Sequence, residues 1–520
     1  MAVEADPPVD AVADPSRPPW SLPAFFAPPR SQAYSYLWVR FLFLRALGLI
    51  FFSAFYSLAF QIHGLLGPRG ILPAGRYLAA VAGDAGATRF WAAPTLLWLG
   101  ASDAALTALV ALGIAASLAL VLNLWPRVSL AVSLLAFLSF IAAAQDFASY
   151  QSDGMLLEAG FLSLFFAPPG LLPGLGAGHP PSPASLWLLR WEWFRIYFES
   201  GLVKLLSGEA QWRDLSAMDK YYENGPLPTW IGWYAQQLPH RFHAATALAT
   251  LITELGLVWL IFLPRRFRIA VCFATALLQI GIILTANYAF LNYLVLALGV
   301  LLLDDRALGR HGPRTGAPRA VVRRRFHRVR LAATMLTLGW AFYATLVAFV
   351  GRALPGAFLA PAEFLAPFRI ANAYGLFAVM TRARYEVEFQ ATRDGKTWLA
   401  YPFRYKPQDV RRPPGIYAPY QPRFEWNLWF ASLDTWRGAP WVVATEARLL
   451  DAEPAVLALF RCDPLGGARP SAVRTVLWQY WFTSRQERAR TGAWWRREER
   501  GAYAPEVRRG ATGEPILALP

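Results

Sequence analysis

Long apolar runs fill the first two thirds of the chain, and short alternating stretches replace them in the last third. Nine runs are long enough to cover most or all of a hydrocarbon layer roughly 30 Å thick: 41–61, 104–124, 128–144, 155–172, 186–206, 244–263, 269–286, 288–303 and 331–350. Each predicts an α-helix, because a segment in lipid must satisfy its backbone N–H and C=O groups within itself. The fourth run is short, ends at proline and carries Glu158, so a re-entrant segment is the alternative to a full crossing there.

Beyond residue 351 the pattern changes. Tyr385-Glu386-Val387-Glu388-Phe389 alternates apolar and charged side chains, Asp394-Gly395 supplies a turn, and 398–405 alternates again, which predicts a β-hairpin. A strand is expected over 472–482 and helices over 421–432 and 453–460. The fold class that results is a polytopic α-helical membrane bundle of about nine spans (36–350) followed by a β-rich extracytoplasmic domain (351–520). Residues 1–35, rich in Pro and Ala and carrying Asp6, Asp10 and Asp14, are expected to form a disordered cytoplasmic tail instead of a signal peptide. The domain's tryptophans, among them Trp426, Trp441, Trp478, Trp481, Trp494 and Trp495, suit core packing, with membrane-surface contact as a second role for some.

Arginine placement orients the bundle. The loop Pro264-Arg265-Arg266-Phe267-Arg268 and the stretch carrying Arg306, Arg310, Arg314, Arg319, Arg323, Arg324, Arg325, Arg328 and Arg330 are both expected on the cytoplasmic side. Two runs separate them, so the assignments agree. They place the N-terminus in the cytoplasm, and 62–103, 207–243 and everything after 351 on the far side. Arg323-Arg324-Arg325 beside a span has a second possible role in recruiting anionic lipid, but fixing orientation is the simpler one.

Composition narrows the function classes. At 520 residues, 56% hydrophobic and only 16% charged, the chain is too apolar for an ordinary soluble enzyme. Its net charge of +16 does not point to nucleic acid, because the basic residues flank apolar runs instead of interleaving with polar, aromatic loops. Cys272 and Cys462, one in a run and one in the C-terminal region, support neither a disulfide framework nor a thiolate metal site. Nucleophile-elbow, Walker A and His-Glu-x-x-His motifs are absent. Gly174-Leu175-Gly176-Ala177-Gly178 is flanked by prolines with no preceding strand and reads as a connector. His240 and His243 lie one helical turn apart but lack acidic or thiol neighbours at ligand spacing, so neither a metal nor a cofactor is expected.

The run 186–206 carries the densest intramembrane charge. Glu192, Arg195 and Glu199 fall on one helix face, and Arg195 with Glu199 are spaced to pair at i, i+4. Lys204 projects from another face near the far boundary, where it could snorkel, bind an anion, or act as a base if desolvated. Glu158, Glu254, Asn287 and Asn292 are further polar groups at membrane depth. Together they suggest a polar core holding the helices. A catalytic alternative has Lys204 as base with Arg195 and Glu199 setting its field.

Several long strings resemble the lipase maturation factor family. They include Ser152-Asp153-Gly154-Met155-Leu156-Leu157-Glu158-Ala159-Gly160-Phe161-Leu162, Ser200-Gly201-Leu202-Val203-Lys204-Leu205, Trp212-Arg213-Asp214-Leu215-Ser216-Ala217-Met218-Asp219 and Asn224-Gly225-Pro226-Leu227-Pro228. In the last third they include Asn372-Ala373-Tyr374-Gly375-Leu376-Phe377-Ala378-Val379-Met380-Thr381-Arg382, Phe403-Arg404-Tyr405-Lys406-Pro407 and Ala418-Pro419-Tyr420-Gln421-Pro422-Arg423. The likeness runs in order over most of the chain after Ser35.

It implies an integral membrane protein, resident in the endoplasmic reticulum in animals, that assists folding and assembly of secreted lipases. It also implies that the far-side loops and the C-terminal domain meet the client, which makes Trp212, Arg213, Asp214, Asp219, Asn372, Tyr374 and Arg423 the client-facing candidates. The implied partners are exported lipases or related hydrolases and membrane lipid, with the oligomeric state open. Few cysteines, no Asn-x-Ser/Thr sequon on the far side, and Ala, Arg and Pro richness suggest a bacterial member in a plasma membrane. A shorter segment, Gly201 to Leu205 followed by Trp212, is similar to the membrane domain of the vitamin K-dependent gamma-carboxylase. That likeness implies only Lys204 as a base acting on a lipid-soluble quinol. A lipid-handling or transport protein is a third class, but no convincing inverted repeats favour it.

Overall fold

The structure is a computed structural model that describes residues 35–148, 150–310, 324–351, 355–510 and 514–518. The expected N-terminal tail, apart from Ser35, and the arginines between 311 and 323 lie outside the described residues.

Each of the nine apolar runs carries a helix: α1 (Leu37–Ala59), α2 (Asp103–Val121), α3 (Pro126–Ile141), α4 (Gln151–Phe166), α5 (Pro183–Leu206), α6 (His240–Leu255), α7 (Arg265–Thr285), α8 (Leu291–Val300) and α9 (Arg324–Val350). Local chemistry sets several starts. The Ser102 and Ser182 side chains accept from backbone N–H groups three residues on, and Pro126 and Pro183 occupy first-turn positions where a missing N–H costs nothing. Among the described residues, length and composition qualify five segments to cross a membrane: Leu37–Ala59, Asp103–Val121, His240–Phe262, Arg265–Thr285 and Arg328–Val350. The expected count of about nine exceeds this because α3, α4 and α8 are short and α5 carries five charged side chains.

The helix ends sort into two groups. At one end the Asp305 carboxylate accepts from the N–H groups of Leu37, Trp38 and Val39 at 3.0–3.1 Å, a negative charge placed on a helix N-terminus. Arg265 pairs with Asp304 at 2.5 Å, and Arg190 donates to the Leu301 carbonyl. Arg40 donates to the carbonyls of Leu175, Gly176 and His179. The glycine-rich connector is therefore a carbonyl cradle for Arg40. Gly176 sits at φ +66°, and a Cβ there would collide with the guanidinium.

The opposite end of the bundle carries the C-terminal domain. Its five-stranded antiparallel sheet has the order β2-β1-β3-β4-β5, with β1 (Arg384–Thr392), β2 (Leu399–Ala400), β3 (Ala472–Phe482), β4 (Trp495–Arg509) and β5 (Pro515–Ala518). The expected hairpin joins β1 to β2 through Asp394-Gly395, where Asp394 accepts from the Lys396 and Thr397 N–H groups and Gly395 has φ +72°. These bonds hold the exposed Asp394 carboxyl below the usual range. The second strand stops well short of 405 because Pro402 has no N–H to continue the ladder. The helix expected over 421–432 is α10 (Arg423–Ala431), and the one expected over 453–460 shrinks to a single turn, Pro454–Leu457. A further helix, α11 (Pro440–Leu450), buries Trp441, Val442, Leu449 and Leu450 under the sheet.

Trp426, Trp441 and Trp495 are core residues, whereas Trp478, Trp481 and Trp494 lie partly exposed beneath Arg497, Arg496 and Arg488. Cys272 and Cys462 are both free thiols.

Candidate functional site

The buried charges of α5 converge with the linker into the C-terminal domain. Arg195, fully buried, bonds through Nη2 to Glu158 of α4 and donates through Nη1 to the Asn372 carbonyl at 2.6 Å. Its expected i, i+4 partner Glu199 stands further off, at 3.6 Å. Glu158 Oε2 accepts from the Asn372 N–H, the Asn372 side-chain amide and the Tyr374 hydroxyl, the last at 2.8 Å. Glu199 accepts from the Tyr374 N–H at 2.5 Å. Glu192 lies buried on the same face of α5. Glu158 of the expected polar core, Arg195 and Glu199 of the catalytic alternative, and two client-facing candidates, Asn372 and Tyr374, are thus one network. Removing one partner from such a buried pair costs about 3–5 kcal/mol.

Lys204 forms a separate tie. It is 1% exposed, lies 2.8 Å from Glu254 of α6, and donates to the Leu376 carbonyl at 3.0 Å. The Trp212 ring lies 5.1 Å from its Nζ. This corrects two expectations. Lys204 neither snorkels nor emerges at the surface, because its donors are engaged inside the seam. Nor does it face Arg195 and Glu199, so the candidate base and its supposed field residues are not assembled into one site. Gly201 makes the Lys204–Glu254 contact possible: a Cβ there would lie 2.8 Å from the Glu254 Cβ.

The two asparagines part company. Asn292 donates to Gln279 at 2.6 Å, and Gln279 donates to the Tyr197 hydroxyl at 2.9 Å, so Asn292 does reach α5. Asn287 instead donates to the Leu227 and Gly415 carbonyls and accepts from the Tyr417 and Ala418 N–H groups. It joins a far-end loop to the C-terminal domain and takes no part in the α5 network.

Arg423 supplies the second main tie between bundle and domain. Its guanidinium makes two bonds to Asp153, at 2.7 and 2.8 Å, and a third to the Phe147 carbonyl at 2.8 Å. Trp212 is also buried and donates to the Phe377 carbonyl. Of the other candidates, Arg213 and Asp214 are exposed, while Asp219 is half-buried and holds His240 at 2.9 Å. His243 bonds the Leu238 carbonyl. Among the described residues no group of three His, Cys, Asp or Glu side chains is placed to hold a metal ion.

Several residues that anchor the domain were not singled out from the sequence. Asp153 was detectable in principle, as an acid in the first turn of an otherwise apolar helix. Glu425 accepts from the N–H groups of Arg404, Tyr405 and Lys406 at 2.6–2.8 Å. Burial pushes its carboxyl up to about 7, against the pull of those three donors. Lys406 bonds Glu386 at 2.9 Å, and Arg384 reaches the carbonyls of Glu223, Gly225 and Pro226, tying the far-end loop to β1. What the whole arrangement does is mechanical: buried charges pair across elements and fix the sheet domain to one end of the bundle.

The family model for the lipase maturation factor transmembrane domain matches residues 38–310, and that for the lipase maturation factor C-terminal domain matches residues 370–505. Lipase maturation factor 1 of Bos taurus is 33% identical over 512 residues, covering 93% of this chain and 91% of the relative. Lipase maturation factor 2 of Gallus gallus is 32% identical over 590 residues, covering 92% and 82%. Lipase maturation factor 1 of Homo sapiens is 30% identical over 533 residues, covering 97% and 93%. No solved structure matches the chain. The apolar helices and both matched domains make this a multi-pass membrane protein, and the chain belongs to the lipase maturation factor family.

Proposed function

We propose that this protein is a membrane-integrated maturation factor that assists folding and assembly of exported lipases or related hydrolases. The observation that carries the reading is the ordered match of both family domains, 38–310 and 370–505, to relatives named lipase maturation factors. The geometry supports it with buried ion pairs at the seam: Arg423–Asp153 joins the sheet domain to α4, while Arg195 and Lys204, paired within the bundle to Glu158 and Glu254, also donate to the Asn372 and Leu376 carbonyls of the linker. A client that must fold against a surface gains from one that does not itself rearrange.

In this reading all nine helices cross the bilayer, dividing the chain at about residue 351 into a bundle and a client-facing domain. The alternation of helix ends supports that count. The end gathering Arg40, Arg45, Arg127, Arg190, Arg265 and Arg268 faces the cytoplasm with the N-terminus, and the domain-bearing end, with exposed Arg213 and Asp214, faces outward. The sparse cysteines favour the plasma membrane of a bacterial cell.

The test is deletion in the native host. The active fraction of an exported lipase falls severalfold and returns with the intact protein, while total lipase synthesis is unchanged. An active fraction unaffected by deletion for every exported lipase of the host refutes the proposal.

A further inference from the structure

A cavity of about 430 Å³ opens at the arginine-lined end of the bundle, within the roughly 300–1,000 Å³ of sites that hold small molecules. Three guanidiniums line it: Arg40 of α1, Arg127 in the first turn of α3 and Arg330 of α9. His179 joins them from the connector into α5, and among the described residues no Asp or Glu is part of the lining. Asp305, the carboxylate whose charge reaches Arg40, is bonded instead to the N–H groups at the start of α1. The sequence from 306 to 350 adds neither Asp nor Glu. Carbonyls take up donors of Arg40 and Arg127, the latter bonding Ala167 at 2.6 Å, but they carry no net charge to cancel the guanidiniums.

Ser182, the N-cap of α5, also lines the cavity, so the positive end of that helix adds to the field. The His179 imidazole is held below its ordinary value by partial burial and then by the charges of Arg127, Arg330 and Arg40, so the three fields converge on one place. A cleft lined by one sign of charge concentrates ions of the other. The remaining wall is apolar. Leu164 and Phe165 at the end of α4 and Leu331 on α9 are half-buried in it, and Leu336, further along α9, is exposed on the bundle's circumference. Exposed Trp125 and Leu171, joined by a backbone bond at the start of α3, suit the head-group level of a bilayer, where tryptophan gathers. An ammonium or choline group finds no carboxylate in this lining, and a free phosphate leaves its apolar wall bare.

We propose that this cavity holds the phosphate of an anionic phospholipid, of the phosphatidylglycerol class, from the leaflet at the arginine-lined end. Arg127 and Arg330 bond its phosphodiester, Arg40 adds charge behind them, and an acyl chain runs along Phe165 and Leu331. The site goes beyond the maturation reading. It depends on the bundle crossing a bilayer, and it can fail while the lipase deletion test succeeds.

The test uses the full chain in phosphatidylcholine nanodiscs at about 0.15 M salt, where exposed charges are screened beyond roughly 8 Å. The discs carry a trace of phosphatidylglycerol with a photoactivatable group near the start of one acyl chain, and labelled peptides are mapped. Labelling is expected to concentrate on 164–182 and 328–334. A tenfold excess of unlabelled phosphatidylglycerol should lower it at least fivefold, and the same excess of phosphatidylethanolamine or of inorganic phosphate less than twofold. Arg127→Gln/Arg330→Gln should cut labelling at least fivefold. Arg266→Gln/Arg328→Gln, which removes the same charge from exposed positions outside the lining, should change it less than twofold. Labelling spread evenly over the basic end, equal competition by phosphatidylethanolamine, or an equal loss from both glutamine pairs each overturns the proposal. Competition by inorganic phosphate as strong as by phosphatidylglycerol assigns the cavity to free phosphate and overturns the lipid. The competition arms on the unaltered chain decide the matter without any variant.

Discussion

Truncating Arg423 to leucine is the sharpest perturbation of the seam between bundle and domain. The side chain is 1% exposed and gives Asp153 two bonds, at 2.7 and 2.8 Å. It gives a third to the Phe147 carbonyl. Asp153 is itself fully buried, so the variant strands a carboxylate with neither solvent nor countercharge. Such a loss costs about 3–5 kcal/mol, and Asp153→Leu should cost a similar amount for the mirror-image reason. The double variant Arg423→Leu/Asp153→Leu removes both charges and fills the site with apolar volume. It should be less destabilised than either single variant by about 2 kcal/mol or more. Unfolding of the full chain in detergent, followed by tryptophan fluorescence, measures all four corners of the cycle. The reasoning fails if either single variant costs under about 1 kcal/mol, or if the two single effects simply add.

Three further outcomes are expected. Burial pushes Glu446 up to about 9 in the folded domain, against an ordinary 4.5, so the folded state holds a proton that the unfolded chain releases. Its effect on stability is therefore most favourable below pH 4.5 and is lost as pH rises through 9, and Glu446→Gln should stabilise the domain by about 3–5 kcal/mol at pH 8 and flatten the dependence in denaturant titrations from pH 5 to 9. Gly201→Ala should lower the thermal midpoint by an amount equivalent to about 1–3 kcal/mol by forcing α6 from α5, whereas Gly281→Ala, with open space around its Cβ, should not. Tyr374→Phe removes a buried 2.8 Å bond to Glu158 and should cost about 1–3 kcal/mol in the same assay, read beside a Tyr343→Phe control whose bond is exposed.

The helices were legible because a long apolar helix is written locally, in run length and hydropathy. All nine runs became helices, and even the short α4 with Glu158 did so, since Glu158 meets Arg195 inside the protein and not lipid. The hairpin at Asp394-Gly395 and the whole of β3 were legible for the same local reason, turn chemistry and alternation. The seam was not. Arg195 has an acid at i, i+4 in Glu199, yet it bonds Glu158 on another helix, and Tyr374 is 216 residues from the carboxylate it caps. Helical spacing proposes only local partners, so it also made Lys204 look free at a surface when Glu254, 50 residues on, holds it. Asn287 and Asn292 looked alike in sequence and serve different contacts. α11 was missed because the middle turn of its buried face is polar: Thr445 and Glu446 stand between the apolar pairs Trp441-Val442 and Leu449-Leu450 and interrupt the apolar repeat.

The central claim is that the domain-bearing end meets lipases as they mature, and site-specific photo-crosslinking in living cells tests it most directly. A crosslinking amino acid placed at exposed Arg213 samples that end, and one at exposed Arg266 samples the arginine-lined end. With an exported lipase pulse-labelled and identified by its own antibody, Arg213 should yield a lipase adduct that appears within the pulse and fades as active enzyme accumulates, and Arg266 should yield none. Equal adducts from both positions, or none from Arg213 while the lipase still matures, would contradict the account.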